Sequence, residues 1–335
     1  MVSFCHKTKK LTFTNMFKKI YYSLMIIAAV GVAMIIPDPF VRWGDFETKS
    51  LIVPLLQIIM FGMGTAISLK DFKGVIQMPK GVFVGMACQF TIMPFVGFAI
   101  ATSFGFPPEI AAGIILVGSS PSGLASNVMS YLSRGNLALS VTLTAVATLM
   151  APLMTPFLME SLAGQLVPID FWAMMWSIIK IVIIPIILGL VFNHFFHGKF
   201  AWLDKAMPIV SMAGIGIIIT IITANGRDSL LQVGGLLIVA CLIHNSAGYF
   251  LGYWACRLLK MDERDCRTIA LEVGMQNGGL ASGIAVEMGK IATVGLAPAV
   301  FGPMMNITGS SLAMWWRGQV DAEEGTDTPE MITSS

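Results

Sequence analysis

The chain reads as an all-α polytopic membrane protein of ten transmembrane helices. They form an inverted five-plus-five repeat with two broken, crossing helices. Three observations predict this. Of 335 residues, 56% are hydrophobic and 12% charged, with a mean hydropathy of +0.78; soluble domains carry about 25% charged residues. Apolar runs long enough to cross a bilayer recur along the whole chain. One interrupted motif occurs twice, as Val117-Gly-Ser-Ser-Pro-Ser-Gly-Leu-Ala-Ser126 and Val273-Gly-Met-Gln-Asn-Gly-Gly-Leu-Ala-Ser282, with six of ten positions identical.

A helical span needs roughly 17–25 mainly apolar residues. Ten runs qualify: 21–36, 51–68, 81–103, 110–133, 137–159, 171–193, 208–224, 235–256, 266–289 and 291–316. The first follows a basic stretch ending at Lys18 and Lys19. No small-residue cleavage site follows it, and Pro37-Asp38-Pro39 comes next, so a retained span is expected rather than a signal peptide. The organisation is then a basic cytoplasmic N-terminus (1–20), a first five-helix repeat (21–160), a second (171–318) and an acidic disordered cytoplasmic tail (319–335).

Placement of Lys and Arg sets the orientation. With the N-terminus inside, sixteen of them fall on the cytoplasmic side and four outside (Arg42, Lys49, Arg227, Lys290). Lys180, within a span, completes the 21. Miscounting by one span would scramble this bias. The two motifs fall in spans four and nine. Five is an odd offset, so the copies enter the membrane from opposite sides, as in an inverted repeat. Weaker echoes agree: Pro54, Gly62 and Gly64 in span two answer Pro208, Gly214 and Gly216 in span seven.

A broken helix leaves free carbonyls on its first half and free N–H groups on its second. Within a membrane this is tolerated where the break lines a cavity or is buried in protein. Carbonyl ends suit a cation; N–H ends, at the positive end of the helix dipole, suit an anion. Matched interruptions in two halves point to a transporter's binding site.

Glu272 precedes the second break and lies more than a turn past Arg267, the nearest interfacial anchor. An ionised carboxylate there costs several kcal/mol unless paired, and no Lys or Arg is close in sequence. A bound cation or a proton resolves the cost. The neighbours favour a metal cation: Ser126, Asn127, Gln276 and Asn277 offer neutral oxygens at the breaks. Ser140 and Thr144 lie four apart on one face of span five. Hard cations take several oxygen ligands of this kind.

Other polar residues give weaker signals. Lys180 in span six could draw an anion or snorkel. His244 in span eight and Gln89 in span three occupy comparable spans and line the core or bond between helices. The five cysteines show no metal or disulfide spacing, and the 24 methionines read as apolar filler. A net charge of +2 implies no nucleic acid, and no obligate protein partner is implied. No HExxH, GxSxG or GxxxxGK[ST] is present, so the chain is not expected to be an enzyme or an ATP-driven pump.

The residues resemble the bile acid:sodium symporter family, especially its bacterial members. The matching runs are Gly118-Ser-Ser-Pro-Ser-Gly-Leu-Ala-Ser-Asn-Val-Met-Ser-Tyr-Leu-Ser-Arg-Gly-Asn136, Glu272-Val-Gly-Met-Gln-Asn277 and Phe61-Gly-Met-Gly64, within about residues 20–318. The resemblance implies a core domain (spans three to five and eight to ten) and a panel domain (one, two, six, seven). It implies two Na+ ions. Carried over residue by residue, one is held by Ser126, Asn127, Ser140, Thr144 and Glu272. The other is held by Gln89, Glu272, Gln276 and the carbonyls of Val273 and Met275. Substrate contacts fall at Asn277, Asn306, Leu124 and Gly279. Two positions depart from the bacterial pattern: Leu124, where Thr is frequent, and Met305 before Asn306, where His is frequent.

The expectation is therefore a sodium-coupled symporter of a small organic anion, working by alternating access. It would be an integral protein of a bacterial inner membrane with both termini cytoplasmic. A steroid conjugate, a 2-oxo acid and a pantoate-like hydroxy acid all present the required carboxylate. Proton coupling through Glu272 is the alternative within transport; an intramembrane enzyme acting on lipid and a passive channel are the alternatives outside it.

Overall fold

The computed structural model describes residues 28–68, 73–196 and 201–326. The basic N-terminus, the start of the first span, the loops holding Lys70 and Lys199, and residues 327–335 lie outside them. The described chain is helical almost throughout, with one two-stranded hairpin, β1 (Arg42–Trp43) and β2 (Phe46–Glu47). Helix α1 covers 28–35. After it come α2 (Asp38–Val41), a 3-10 turn (Thr48–Leu51), α3 (Ile52–Ala66), α4 (Gly74–Gln77) and α5 (Pro79–Ser103). Then follow α6 (Pro108–Ser119), α7 (Leu124–Leu132), α8 (Leu137–Ala163), α9 (Phe171–Ile178), a π-turn (Ile179–Ile183) and α10 (Ile184–Phe196). The rest is α11 (Ala201–Asn225), α12 (Arg227–Leu258), α13 (Glu263–Gly274), α14 (Gly278–Glu287) and α15 (Leu296–Thr326).

Five of these units are long and apolar enough to cross a bilayer: Thr48–Ala66, Pro79–Ser103, Leu137–Ala163, Phe171–Phe196 and Arg227–Leu258. Large apolar side chains on their outer faces, such as Phe83, Phe95, Leu153 and Phe250, are exposed. A water-soluble protein would bury a surface of this kind; here it faces lipid. The chain is an integral membrane protein of the all-α class.

Local chemistry sets the ends of the helices. Pro79 and Pro108 occupy first-turn positions, where the missing N–H costs nothing. Asn136 caps α8 by accepting from Leu139 N at 3.1 Å, and Asp170 caps α9 through Ala173 N at 3.0 Å. The segments 110–133 and 266–289 each divide into two helices, α6/α7 and α13/α14, at the repeated motif. The last helix departs from the sequence reading. Helix α15 runs to Thr326, into the segment expected to be a disordered tail. Asp321 explains the extension: it pairs with Arg134 at 3.0 Å and with Arg317 one turn back at 3.7 Å.

Two packing groups position the site. Helices α5, α6, α8, α12, α13 and α15 pack closely together, with α7 lying on α8, α13 and α15. Helix α3 packs on α10 and α11. The α3–α10 contact is backbone to backbone: a Cβ on Gly64 would strike the Ile186 carbonyl, and one on Gly189 the Phe61 carbonyl. Small residues at crossings are how membrane helices gain contact area. Helix α14 joins the groups, touching α3, α9 and the π-turn; Leu56 and Ile181 pack over Gly283.

Candidate functional site

The two breaks meet. Residues 120–123 and 275–277 run antiparallel as a short bridge, with Ser122 opposite Gln276. Asn277 N donates to the Pro121 carbonyl at 2.8 Å, and Gly123 N to the Met275 carbonyl at 3.4 Å. Carbonyls freed at each break are caught by side chains, three from neighbouring helices and one from the second break itself. Gln89 Nε2 donates to Ser120 O (2.9 Å) and Thr155 Oγ1 to Ser119 O (2.7 Å). Gln276 Nε2 donates to Val273 O (2.6 Å) and Asn245 Nδ2 to Gly274 O (2.8 Å). These bonds make the interruptions tolerable away from water.

Glu272 lies at the crossing, 2% exposed. Four hydroxyls donate to its carboxylate: Ser126 (2.6 Å) and Ser140 (2.5 Å) to Oε1, Ser122 (2.6 Å) and Thr144 (2.9 Å) to Oε2. The Asn127 amide oxygen stands beside them, 2.8 Å from Ser140 Oγ and 3.1 Å from Thr144 Oγ1. Each hydroxyl has one proton, so Ser140 and Thr144 cannot serve both acceptors at once. The cluster is rich in lone pairs and short of positive charge. No Lys or Arg among the described residues pairs with Glu272. Arg267, on the same helix, is spent on Glu263 (2.9 Å).

A second group adjoins the first. Gln89 Nε2 donates to Gln276 Oε1 at 2.8 Å, while Gln89 Oε1 is buried and has no hydrogen-bond partner. An orphaned buried acceptor costs about 1–3 kcal/mol, and this one belongs to the side chain that bonds Gln276, which in turn bonds the Val273 carbonyl. A cation accepts such oxygens; the donor set suits a hard ion rather than a soft one.

The residues singled out in the sequence divide by location. Ser126, Asn127, Ser140, Thr144 and Glu272 share one cluster; Gln89, Gln276 and Val273 share the next. The Met275 carbonyl is taken by Gly123 N. Asn277 caps α14, its Oδ1 accepting from Leu280 N at 3.0 Å, which leaves its Nδ2 without a protein partner among the described residues. The α7 N-terminus carries no side-chain cap, so its first N–H groups, beginning at Leu124, are available. Gly279 faces Leu56 of α3. Asn306 Nδ2 donates to Gly302 O of its own helix at 3.0 Å, leaving it an acceptor for any ligand and poorly suited to an anion. Lys180 is exposed at the π-turn and enters neither cluster.

Sequence reasoning missed two residues. Ser122 lies inside the motif but was not separated from its neighbours. Asn245 sits beside His244, which drew attention instead. His244 Nε2 bonds the Met93 carbonyl at 2.9 Å and the ring packs on Phe301, joining helices. Asn245, one residue on, reaches the second break and is itself held by Thr308 (2.6 Å). Asn245→Ala strands the Gly274 carbonyl, while the Thr308 hydroxyl keeps the Met304 carbonyl of its own helix. An apparent loss of about 1–3 kcal/mol is expected, measured by thermal unfolding in detergent against wild type.

Two broken helices crossing over a buried, cation-poor carboxylate define a membrane transport protein rather than a structural helix bundle. Comparison with known proteins agrees. Residues 53–233 match the family model described as Sodium Bile acid symporter family. The chain is 41% identical over 277 residues to the uncharacterized sodium-dependent transporter YocS of Bacillus subtilis, covering 82% of this chain and 86% of that protein. It is 36% identical over 274 residues to the probable sodium/metabolite cotransporter BASS1, chloroplastic, of Arabidopsis thaliana (82% and 68%). It is 35% identical over 247 residues to the ileal sodium/bile acid cotransporter of Oryctolagus cuniculus (70% and 69%). The chain belongs to the Sodium Bile acid symporter family.

Proposed function

We propose that the chain is a sodium-coupled symporter of a small organic anion, with Na+ at both clusters around Glu272. The observation that carries this reading is the Glu272 cluster itself: a buried carboxylate among four hydroxyls, two of them contested by the Asn127 amide oxygen, with no cationic side chain paired to it among the described residues. Na+ supplies the missing charge and ties α7, α8 and α13 together. The Ser126, Asn127, Ser140, Thr144 and Glu272 oxygens bind the first ion. Gln89, Gln276, Glu272 and the Val273 and Met275 carbonyls bind the second. Sodium dependence in the names of its relatives supports the choice of ion.

The substrate carboxylate binds at the uncapped α7 N-terminus and Asn277 Nδ2, with Leu124, Gly279 and Asn306 as further contacts. An uncapped helix N-terminus suits an anion. Bound Na+ cancels the Glu272 charge and fixes the crossing, so the anion binds better; by linkage the anion raises sodium affinity equally. Read with α1, α11, α15 and the two broken pairs, the five long units make ten spans in two inverted halves. The group around α3, α10 and α11 is the panel and the larger group the core. Both termini are cytoplasmic, in a bacterial inner membrane.

On this reading the outer end is closed. At the outer end α14 rests on α3 and α9, and Ser177 Oγ donates to Glu287 Oε2 at 3.1 Å. Joining the paired variants Ser177→Cys and Glu287→Cys with a short bifunctional thiol reagent is expected to abolish uptake, and reduction of a cleavable linker to restore it. Uptake unaffected by complete cross-linking would contradict this closure.

The test of function is thermal stability of the purified protein in NaCl against choline chloride at equal ionic strength, followed by a screen of monocarboxylates in each salt. The expected result is an upshift specific to sodium and, for the true substrate, a further upshift that requires sodium. A response to pH with none to sodium would assign Glu272 to protons instead.

A further inference from the structure

We infer that Ser122 is a further oxygen ligand of the cation at Glu272, and the residue that ties the two ion clusters together. The inference rests on the sodium reading above. Its starting point is a break in the internal repeat. Counted from Val117 and Val273, Ser122 corresponds to Gly278. A glycine therefore serves at this place in one copy, and only the copy facing Glu272 carries a hydroxyl. That hydroxyl is not idle. It is buried, 1% exposed, and donates to Glu272 Oε2 at 2.6 Å.

The arrangement around the carboxylate is paired. Oε1 takes Ser126 and Ser140; Oε2 takes Thr144 and Ser122. Three of these hydroxyls stand on α7 and α8. Ser122 alone stands on the extended segment between α6 and α7. Without it, Oε2 would keep Thr144 as its one hydroxyl donor. With it, the oxygens named for the first ion rise from five residues to six, a number suited to a hard cation. On ion binding the Ser122 proton turns away and its lone pair faces the cation, as for the other three hydroxyls.

The backbone of Ser122 does a second task. It is the bridge partner of Gln276, whose side-chain oxygen accepts from Gln89 in the second cluster. One residue therefore places its side chain in the first ion site and its main chain against a ligand of the second. A shift of Ser122 toward an ion at Glu272 moves the strand on which Gln276 is registered.

The experiment is a sodium titration of thermal stability with the full chain in detergent, comparing wild type, Ser122→Ala, Ser122→Gly and Ser122→Thr. The quantity read is the half-saturating sodium concentration, repeated with lithium. Loss of a group that holds a metal ligand costs on the order of 10-fold or more in affinity. Ser122→Ala and Ser122→Gly are expected to raise half-saturating sodium by at least that factor and to change the sodium-to-lithium ratio, whereas Ser122→Thr keeps the wild-type values. The glycine variant copies the residue at 278 and serves should the alanine variant not fold. A hydroxyl that only packs would lower the melting temperature in choline and leave half-saturation unchanged, and that result overturns the assignment. If wild type shows no sodium response, the sodium reading fails, and this assignment with it.

Discussion

Glu272→Gln removes the stabilisation of the protein by sodium without unfolding it. The variant keeps the shape of the side chain and one acceptor oxygen but loses the charge. In wild type without sodium, four hydroxyls hold an otherwise unpaired buried carboxylate. A buried charge lacking an ionic partner is a liability, so the variant melts no lower than wild type in choline. In sodium the two separate. A ligand binding only the folded state contributes about 2.7 kcal/mol at a hundred times its dissociation constant. Wild type gains that stabilisation and Glu272→Gln gains almost none, and sodium-driven uptake by the variant falls to background. The pattern matters more than the size: unchanged stability in choline with a lost sodium increment is the signature of an ion ligand. A parallel fall in both salts would mark Glu272 as a packing residue.

Gly118→Ala disables the carrier by geometry alone. Gly118 lies in the last turn of α6, two residues before the first break, where α6 crosses α5. A methyl there would run into the Met93 carbonyl oxygen, and the His244 ring sits close on the other side. The Met93 carbonyl also accepts from His244, so moving it loosens α12 as well. Overpacking a buried contact costs about 1–3 kcal/mol, and a backbone atom yields less readily than a side chain. The larger effect is functional. Displacing the end of α6 shifts residues 119–123, and with them Ser122 and the bridge to Gln276. A lower melting temperature together with a sodium half-saturation raised at least several-fold is expected. Gly235→Ala, where nothing lies within 4 Å of the added atom, serves as the tolerated control.

These expectations separate what a sequence exposes from what it hides. Both breaks were legible because Pro, Ser, Gln and Asn within apolar segments contradict a continuous lipid-facing helix, a conflict visible over ten residues. Glu272 was legible for the same reason, and Ser140 and Thr144 because a spacing of four puts them on one helix face. Rotation about a helix axis was not legible. His244 and Asn245 are adjacent polar residues in an apolar span, and about 100° of turn decides which of them meets the break. Ser122 was hidden differently: in an extended segment, alternation and twist aim the side chain, and no periodicity in the sequence reports them. The role of Gln89 followed from resemblance, since a lone Gln in a span reads equally well as a helix-to-helix hydrogen bond. By sequence, Asn277 and Asn306 both read as substrate contacts. The structure gives the first a free amide nitrogen beside a capped helix and turns that of the second back onto its own helix.

The extension of α15 shows the limit of composition. An acidic stretch after the last apolar run reads as solvated tail. Asp321, placed between Arg134 and Arg317, keeps α15 helical as far as Thr326. Pairing across elements far apart in sequence is invisible to local composition.

Equilibrium binding of radioactive sodium to the purified protein, wild type beside Glu272→Gln, tests the central claim most directly. Saturable binding to wild type, competed by unlabelled sodium and not by choline, and absent from the variant, is the predicted result. A wild type that binds no sodium, or a variant that binds it equally well, would contradict it.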